Sequence, residues 1–218
     1  MTTLATDPAA VAGRREERKQ ANRDKLLAAA RKVFAEKGVG AASARDIVRE
    51  TDLATGTFYN YFDDKLDVFR ALVEESAERH RAAVREQRQQ PGRSLEERVE
   101  GAYRAYFELV LEDHELFTVL MRNSGLIALV AEENVFEVGI AELLEDLRDW
   151  AREGDLPPLD LDYLATAMVG VGFQVATHLI DRRPPDAEGA AEFCSRLFVG
   201  GIRALAGEPA ASAEIAAA

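Results

Sequence analysis

Residues 43–62 read S-A-R-D-I-V-R-E-T-D-L-A-T-G-T-F-Y-N-Y-F, and this run decides the fold class. Ser43 is a good helix N-cap, and Asp46, three residues on, lies near the positive end of the helix dipole. Ile47 and Val48 supply apolar contact. The helix should stop near Thr51-Asp52, since Asp tolerates the left-handed backbone of a turn better than most side chains. Leu53 is the apolar plug of that turn. A second helix then starts at Ala54 or Thr55. Phe58 and Phe62 lie four apart, share a face and anchor it to a core.

The rest of the second helix is unusual for a packing element. Gly56, Thr57, Tyr59, Asn60 and Tyr61 point mostly away from the phenylalanines, and no acid follows until Asp63. Small residues and free N–H groups let a phosphate or a base edge approach closely. Two short helices joined by a tight turn, the second so decorated, describe a DNA-reading helix-turn-helix.

T-G-T-F-Y-N-Y-F, the following D-D-K-L-D-V-F and the upstream L-L-A-A-A-R-K-V-F-A-E-K-G resemble the DNA-binding segment of the TetR family of bacterial regulators, over roughly residues 23 to 72. Asp52 stands where that family usually has Gly, and Ala54 where it usually has a Ser or Thr cap; Thr55 is then expected to take over capping. The resemblance implies a homodimer joined through the last two helices, each protomer placing the helix near Thr55 in a major groove of a near-palindromic operator. Ser43, Arg45, Tyr59, Tyr61 and Lys65 would hold phosphates. Ala54, Thr55, Gly56, Thr57 and Asn60 would face the bases, Asn suiting adenine.

The formal net charge is −12, and its distribution matters more than its sum. Residues 14–49 hold eleven basic residues against five acids, a surplus of six that leaves −18 for the remainder. A basic N-terminal end on an acidic body suits a protein that presents one end to a polyanion, although a solvated charge run looks the same without the helix-turn-helix beside it. With 218 residues and 47% apolar content the chain can build a large core. No apolar run has membrane-spanning length, and the N-terminus lacks the pattern of a secretory signal. The single cysteine, Cys194, fits a reducing cytoplasm.

In order, residues 1–21 read as a flexible basic arm. Leu26, Ala30, Val33 and Phe34 then form one stripe of a helix over about 22–37 that Gly38 ends. Residues 22–65 are the three-helix DNA-binding domain. Residues 66–207 form a larger helical domain for ligand binding and dimerisation, and 208–218 a disordered tail. Asp63 is expected to cap a long fourth helix reaching about Gln90. Ser94 and Glu97 form a capping box after Pro91-Gly92. One long helix is expected from Leu126 to about Arg152. The run from Asp160 or Asp162 to Ile180 is apolar nearly all round and must be buried on most faces. A last helix covers Ala187–Leu205, with Gly200-Gly201 permitting tight contact. The fold class is all-α, about nine helices, with no strand pattern.

No metal-ligand spacing joins His80, His114 and His178, and no phosphate loop or nucleophile elbow is present, so an enzyme is not expected, nor a cofactor. Tyr103, Phe107, Phe117, Met121, Phe136, Met168 and Phe173, with the polar Asn123, Gln174 and His178, could line a small-molecule pocket between helices. Each of them is also an ordinary core candidate, and His178 is either a satisfied core histidine or a polar ligand anchor. The resemblance favours the pocket, for an apolar or amphipathic effector such as an acyl chain or an aromatic drug. The expected function is a sequence-specific, DNA-binding homodimeric repressor released by that effector. A ligand-responsive activator of the same fold and a helical protein–protein module without DNA binding are the alternatives.

Overall fold

The computed structural model describes residues 8–130 and 135–207; among them it has ten helices and no strand. The described residues fall into two compact units, one from 1–75 with 115–131, the other from 76–114 with 132–218. The expected tail at 208–218 lies outside the described residues.

The first unit is built on α1 (Pro8–Ala41), α2 (Ala44–Arg49), α3 (Thr55–Phe58) and the start of α4 (Lys65–Arg88), with α6 (His114–Arg122) and α7 (Ser124–Val130). The stripe of α1 is buried as its spacing requires, through Leu26, Leu27, Ala30, Val33 and Phe34. Ile47, Val48, Phe58, Phe62, Val68, Phe69, Leu72 and Val73 are buried in the same unit. Phe34 meets Phe69 edge-on with ring centroids 6.0 Å apart. Each such aromatic contributes about 1.5–3 kcal/mol by leaving water. Gly38 takes φ +76° and bends α1, and Val39 and Ala42 beyond the bend turn back into the core.

Two expectations for this unit change. Helix α1 begins at Pro8, so residues 8–21 are helical where an arm was expected. Alanine and alternating Arg/Glu residues carry high helix propensity and extend a nucleated helix without burying a face. Asp64, rather than Asp63, caps α4: its Oδ1 accepts from the backbone N–H of Leu66 at 2.7 Å and of Asp67 at 3.0 Å.

The second unit holds the rest of α4, α5 (Leu95–Glu112), α8 (Val135–Glu153), α9 (Leu161–Leu179) and α10 (Ala187–Gly207). The Ser94/Glu97 capping box opens α5, and Asp160 caps α9. Helix α10 packs chiefly along α5, and α8 along α9. Val99, Tyr103, Phe107 and Val110 of α5 are buried, as are Leu143, Leu147 and Trp150 of α8. Gly172 of α9 is where the ring of Tyr103 seats; a Cβ there would lie 2.9 Å from its Cε1. The Tyr103 hydroxyl donates to the Met168 carbonyl at 2.9 Å. Cys194 is buried, and burial pushes its thiol up to about 11. The helix expected over 126–152 appears as α7 and α8, with 131–134 between them outside the described residues. Helix α9 is not covered all round: Tyr163, Gly170, Gln174 and His178 are exposed along one side.

Candidate nucleic-acid interface

The reading helix is positioned from beneath. Phe58 is fully buried and Phe62 nearly so, their rings 5.9 Å apart. The other side of the same short segment is turned outward: Ala54, Thr55, Gly56 and Asn60 are exposed, Thr57 is half-buried, and Tyr59 is 59% exposed with its ring edge-on to Phe58 at 5.2 Å. No side chain caps α3, so Thr55 does not take the capping role expected of it. The first N–H groups of the helix have no side-chain competitor.

Helix α2 carries a full capping box. The Ser43 hydroxyl accepts from the Asp46 N–H at 3.2 Å, and the Asp46 carboxylate accepts from the Ser43 N–H at 3.0 Å and from its hydroxyl at 2.5 Å. Ser43 therefore spends both its donors and its acceptor on the cap. Asp46 also accepts from Lys37 Nζ at 2.8 Å, and the Lys37 contact first, then Ser43, hold its carboxyl down to about 2. Arg45 stays exposed. In the turn, Thr51 Oγ1 donates to the Val48 carbonyl and accepts from the Leu53 N–H, which fixes the chain between the two helices.

Three lysines of α1 hold the pair in place. Lys25 reaches both Asp52 oxygens at 2.9 Å, Lys32 reaches Glu50 at 2.6 Å, and Lys37 reaches Asp46. Sequence reading placed these lysines in the DNA-facing surplus; the partners lie 9 to 27 residues away, beyond any local spacing rule. The hydrogen bond from Lys25 is the main reason Asp52 titrates below its ordinary value. Lys65 is likewise engaged: its ammonium donates to the carbonyls of Gly40 at 2.6 Å and Ala42 at 2.9 Å, tying α4 to the end of α1. An ammonium has three N–H donors, so one remains for a phosphate. The Tyr61 hydroxyl accepts from Asn22 Nδ2 at 3.3 Å.

Residues 26–72 match the family model described as bacterial regulatory proteins, tetR family. The chain belongs to the TetR family. The match falls on α1 to α4, where the capped pair and its exposed face have just been described. This TetR-family chain is 22% identical over 183 residues to the HTH-type transcriptional activator FasR of Mycolicibacterium smegmatis, covering 83% of this chain and 82% of that protein. It is 45% identical over 51 residues to the HTH-type transcriptional regulator YvdT of Bacillus subtilis, 23% of this chain and 26% of that one. Its fold resembles that of the fatty acid degradation regulator FadR from Bacillus halodurans, with a TM-score of 0.71 and 24% identity over 83% of this chain and 96% of that chain. The protein is a DNA-binding transcription regulator, and its relatives carry regulators' names, not enzymes'. Among the described residues no helix is long and apolar enough to cross a membrane.

The pocket candidates divide. Tyr103 stacks on Phe107 and on Phe198, with centroids 5.8 Å and 6.2 Å apart, and its hydroxyl is occupied by Met168. Met168 is buried and Phe173 half-buried, whereas Gln174 and His178 are exposed on α9. His178 is thus not the core histidine that its apolar surroundings in sequence suggested. Phe117, Met121 and Asn123 belong to the first unit, where Asn123 Nδ2 donates to the Val119 carbonyl at 2.7 Å. The side chain of Phe136 lies outside the described residues.

Proposed function

We propose that the protein is a homodimeric repressor of a near-palindromic operator in double-stranded DNA, and that a small, mainly apolar effector lowers its affinity. The observation that carries the reading is the two-sided segment 54–62, with Phe58 and Phe62 sealed and Tyr59, Asn60 and the small residues open. In this reading 22–65 is the reading domain, and 66–207 holds the effector and the dimer partner. Thr55, Gly56, Thr57 and Asn60 face base edges, while Arg45, Tyr59, Tyr61 and the third donor of Lys65 meet phosphate. Half-sites then lie about 34–36 Å apart, or a multiple of it.

The dimer surface we assign is the outer side of α9 and α10. Tyr163, Phe193, Leu197 and Leu205 are exposed large apolar groups. Gly170, Gly200 and Gly201 have nothing within 4 Å of where a Cβ would stand, so a second backbone can come close. Apolar lining in the second unit and the name of the FadR relative support a fatty acyl effector. The effector acts only if it binds the DNA-incompetent spacing of the two heads more tightly than the competent one.

Gel shift of the full chain against genomic fragments, repeated with Tyr59→Ala, tests the DNA reading. Sequence-specific retention lost in the variant is expected; a variant that binds as well as the parent would refute it. A thermal-shift screen with fatty acids, acyl-CoAs and aromatic drugs tests the effector class. The FasR relative is named an activator, which favours activation by the same fold as the second reading. Reporter transcription that falls on deleting the gene, rather than rises, would select it.

A further inference from the structure

The part of α1 ahead of the reading domain is a helical rod with its charges sorted by side. At 100° per residue, Arg15, Arg18 and Lys19 fall within about 60° of the direction of Asn22, whereas Glu16, Glu17 and Asp24 fall about 120–160° away from it. Asn22 is the residue whose amide reaches the Tyr61 hydroxyl just after α3. The basic side of the rod is therefore the side that, one to two turns on, touches the reading segment. One turn further, the rod is clamped: Arg23 pairs with Glu75, and its guanidinium lies over the Phe62 ring at 5.7 Å from the centroid. Arg15, Arg18 and Lys19 are exposed, and Lys19 has a loose pair with Glu16 at 3.7 Å, weak enough for a phosphate to displace. By contrast Lys25, Lys32 and Lys37 are committed to Asp52, Glu50 and Asp46.

We infer that Arg15, Arg18 and Lys19 form a second phosphate-binding face, which lengthens the DNA footprint of each protomer beyond the helix-turn-helix without reading bases. The inference rests on the DNA-binding reading above. A rigid helix makes these contacts cheaper than an arm would, because the backbone is ordered before DNA arrives.

The test uses the full chain, a short duplex that it selects from a random-sequence pool, and a scrambled duplex of the same composition. Affinity is measured by fluorescence anisotropy across a salt series for the parent, R15A/R18A/K19A, R15K/R18K/K19R and Tyr59→Ala, with far-UV circular dichroism as the folding check. The alanine triple is expected to weaken both duplexes by the same factor and to reduce the salt slope by about 0.9 for each phosphate it no longer neutralises, while the charge-keeping triple binds like the parent. An alanine triple with unchanged affinity and slope, beside a Tyr59→Ala that no longer discriminates the duplexes, overturns this inference and leaves the reading head standing. A loss confined to the selected duplex overturns it as well, since phosphate carries no sequence. Tyr59→Ala retaining full discrimination would sink the underlying reading instead.

Discussion

Gly172 and Tyr103 show how one hydrogen atom in place of a side chain sets a helix spacing. The ring of Tyr103 lies where a Cβ on Gly172 would be, and its hydroxyl reaches past to the Met168 carbonyl. Gly172→Ala should lower unfolding free energy by about 1–3 kcal/mol through overpacking, read by urea denaturation. Tyr103→Phe should cost only about 1 kcal/mol, for one hydrogen bond. Asp46 makes a different prediction. Its carboxyl is held down to about 2 by Lys37 and Ser43, against 3.8 ordinarily. A depressed acid stabilises the fold fully above its unfolded value and loses that contribution as pH falls from about 4 through 2. Asp46→Asn should therefore flatten the acid limb of a stability–pH curve in that window and change little near neutrality beyond a constant offset.

Among the elements, the helix-turn-helix was readable because everything that defines it is local: a cap three residues from its partner, two phenylalanines four apart, a turn of known chemistry. The capping box of Ser94 and Glu97 and the Asp160 cap were readable for the same reason. What escaped was decided across distance or by propensity alone. Lys65 looked like a free surface lysine, but the carbonyls of Gly40 and Ala42 claim it from another element. The helix over 8–21 has no apolar period to announce it. The exposure of His178 depends on which side of an almost uniformly apolar helix the neighbours happen to cover. A second long-range device joins α4 to α8 within one unit. Arg88 Nε donates to Asp146 at 2.6 Å, both side chains nearly buried, while Arg85 reaches Glu142 at 2.6 Å. Asp146→Ala leaves a buried guanidinium uncompensated and should cost about 3–5 kcal/mol. Asp149→Ala removes an exposed pair with Arg152 and should cost less than about 1 kcal/mol. Thermal melts of the two variants side by side provide the check.

For the whole molecule, the proposed pairing of chains predicts that Phe193→Glu with Leu197→Glu yields a folded monomer. Both positions are exposed in the single chain, at 59% and 50%, so the monomer's own core is untouched. Sedimentation should show the change of mass, and operator affinity should collapse because two half-sites are no longer held together. A double variant that remains dimeric would move the interface elsewhere. The all-helical class followed from periodicity along the entire chain, but which apolar surface meets a partner did not, because an intramolecular core and a self-association face are built from the same residues.

The three lysine straps that run from α1 to Glu50, Asp52 and Asp46 give ionic strength a second target. All three are solvent-accessible and hence screened by added electrolyte. Brine would thus loosen the grip of the supporting rod on the reader while it also competes for the nucleic acid. The protein's response to osmotic stress is wired into the stiffness of its own probe, so that a cell growing saltier would find this switch both less tightly seated and less sharply tuned.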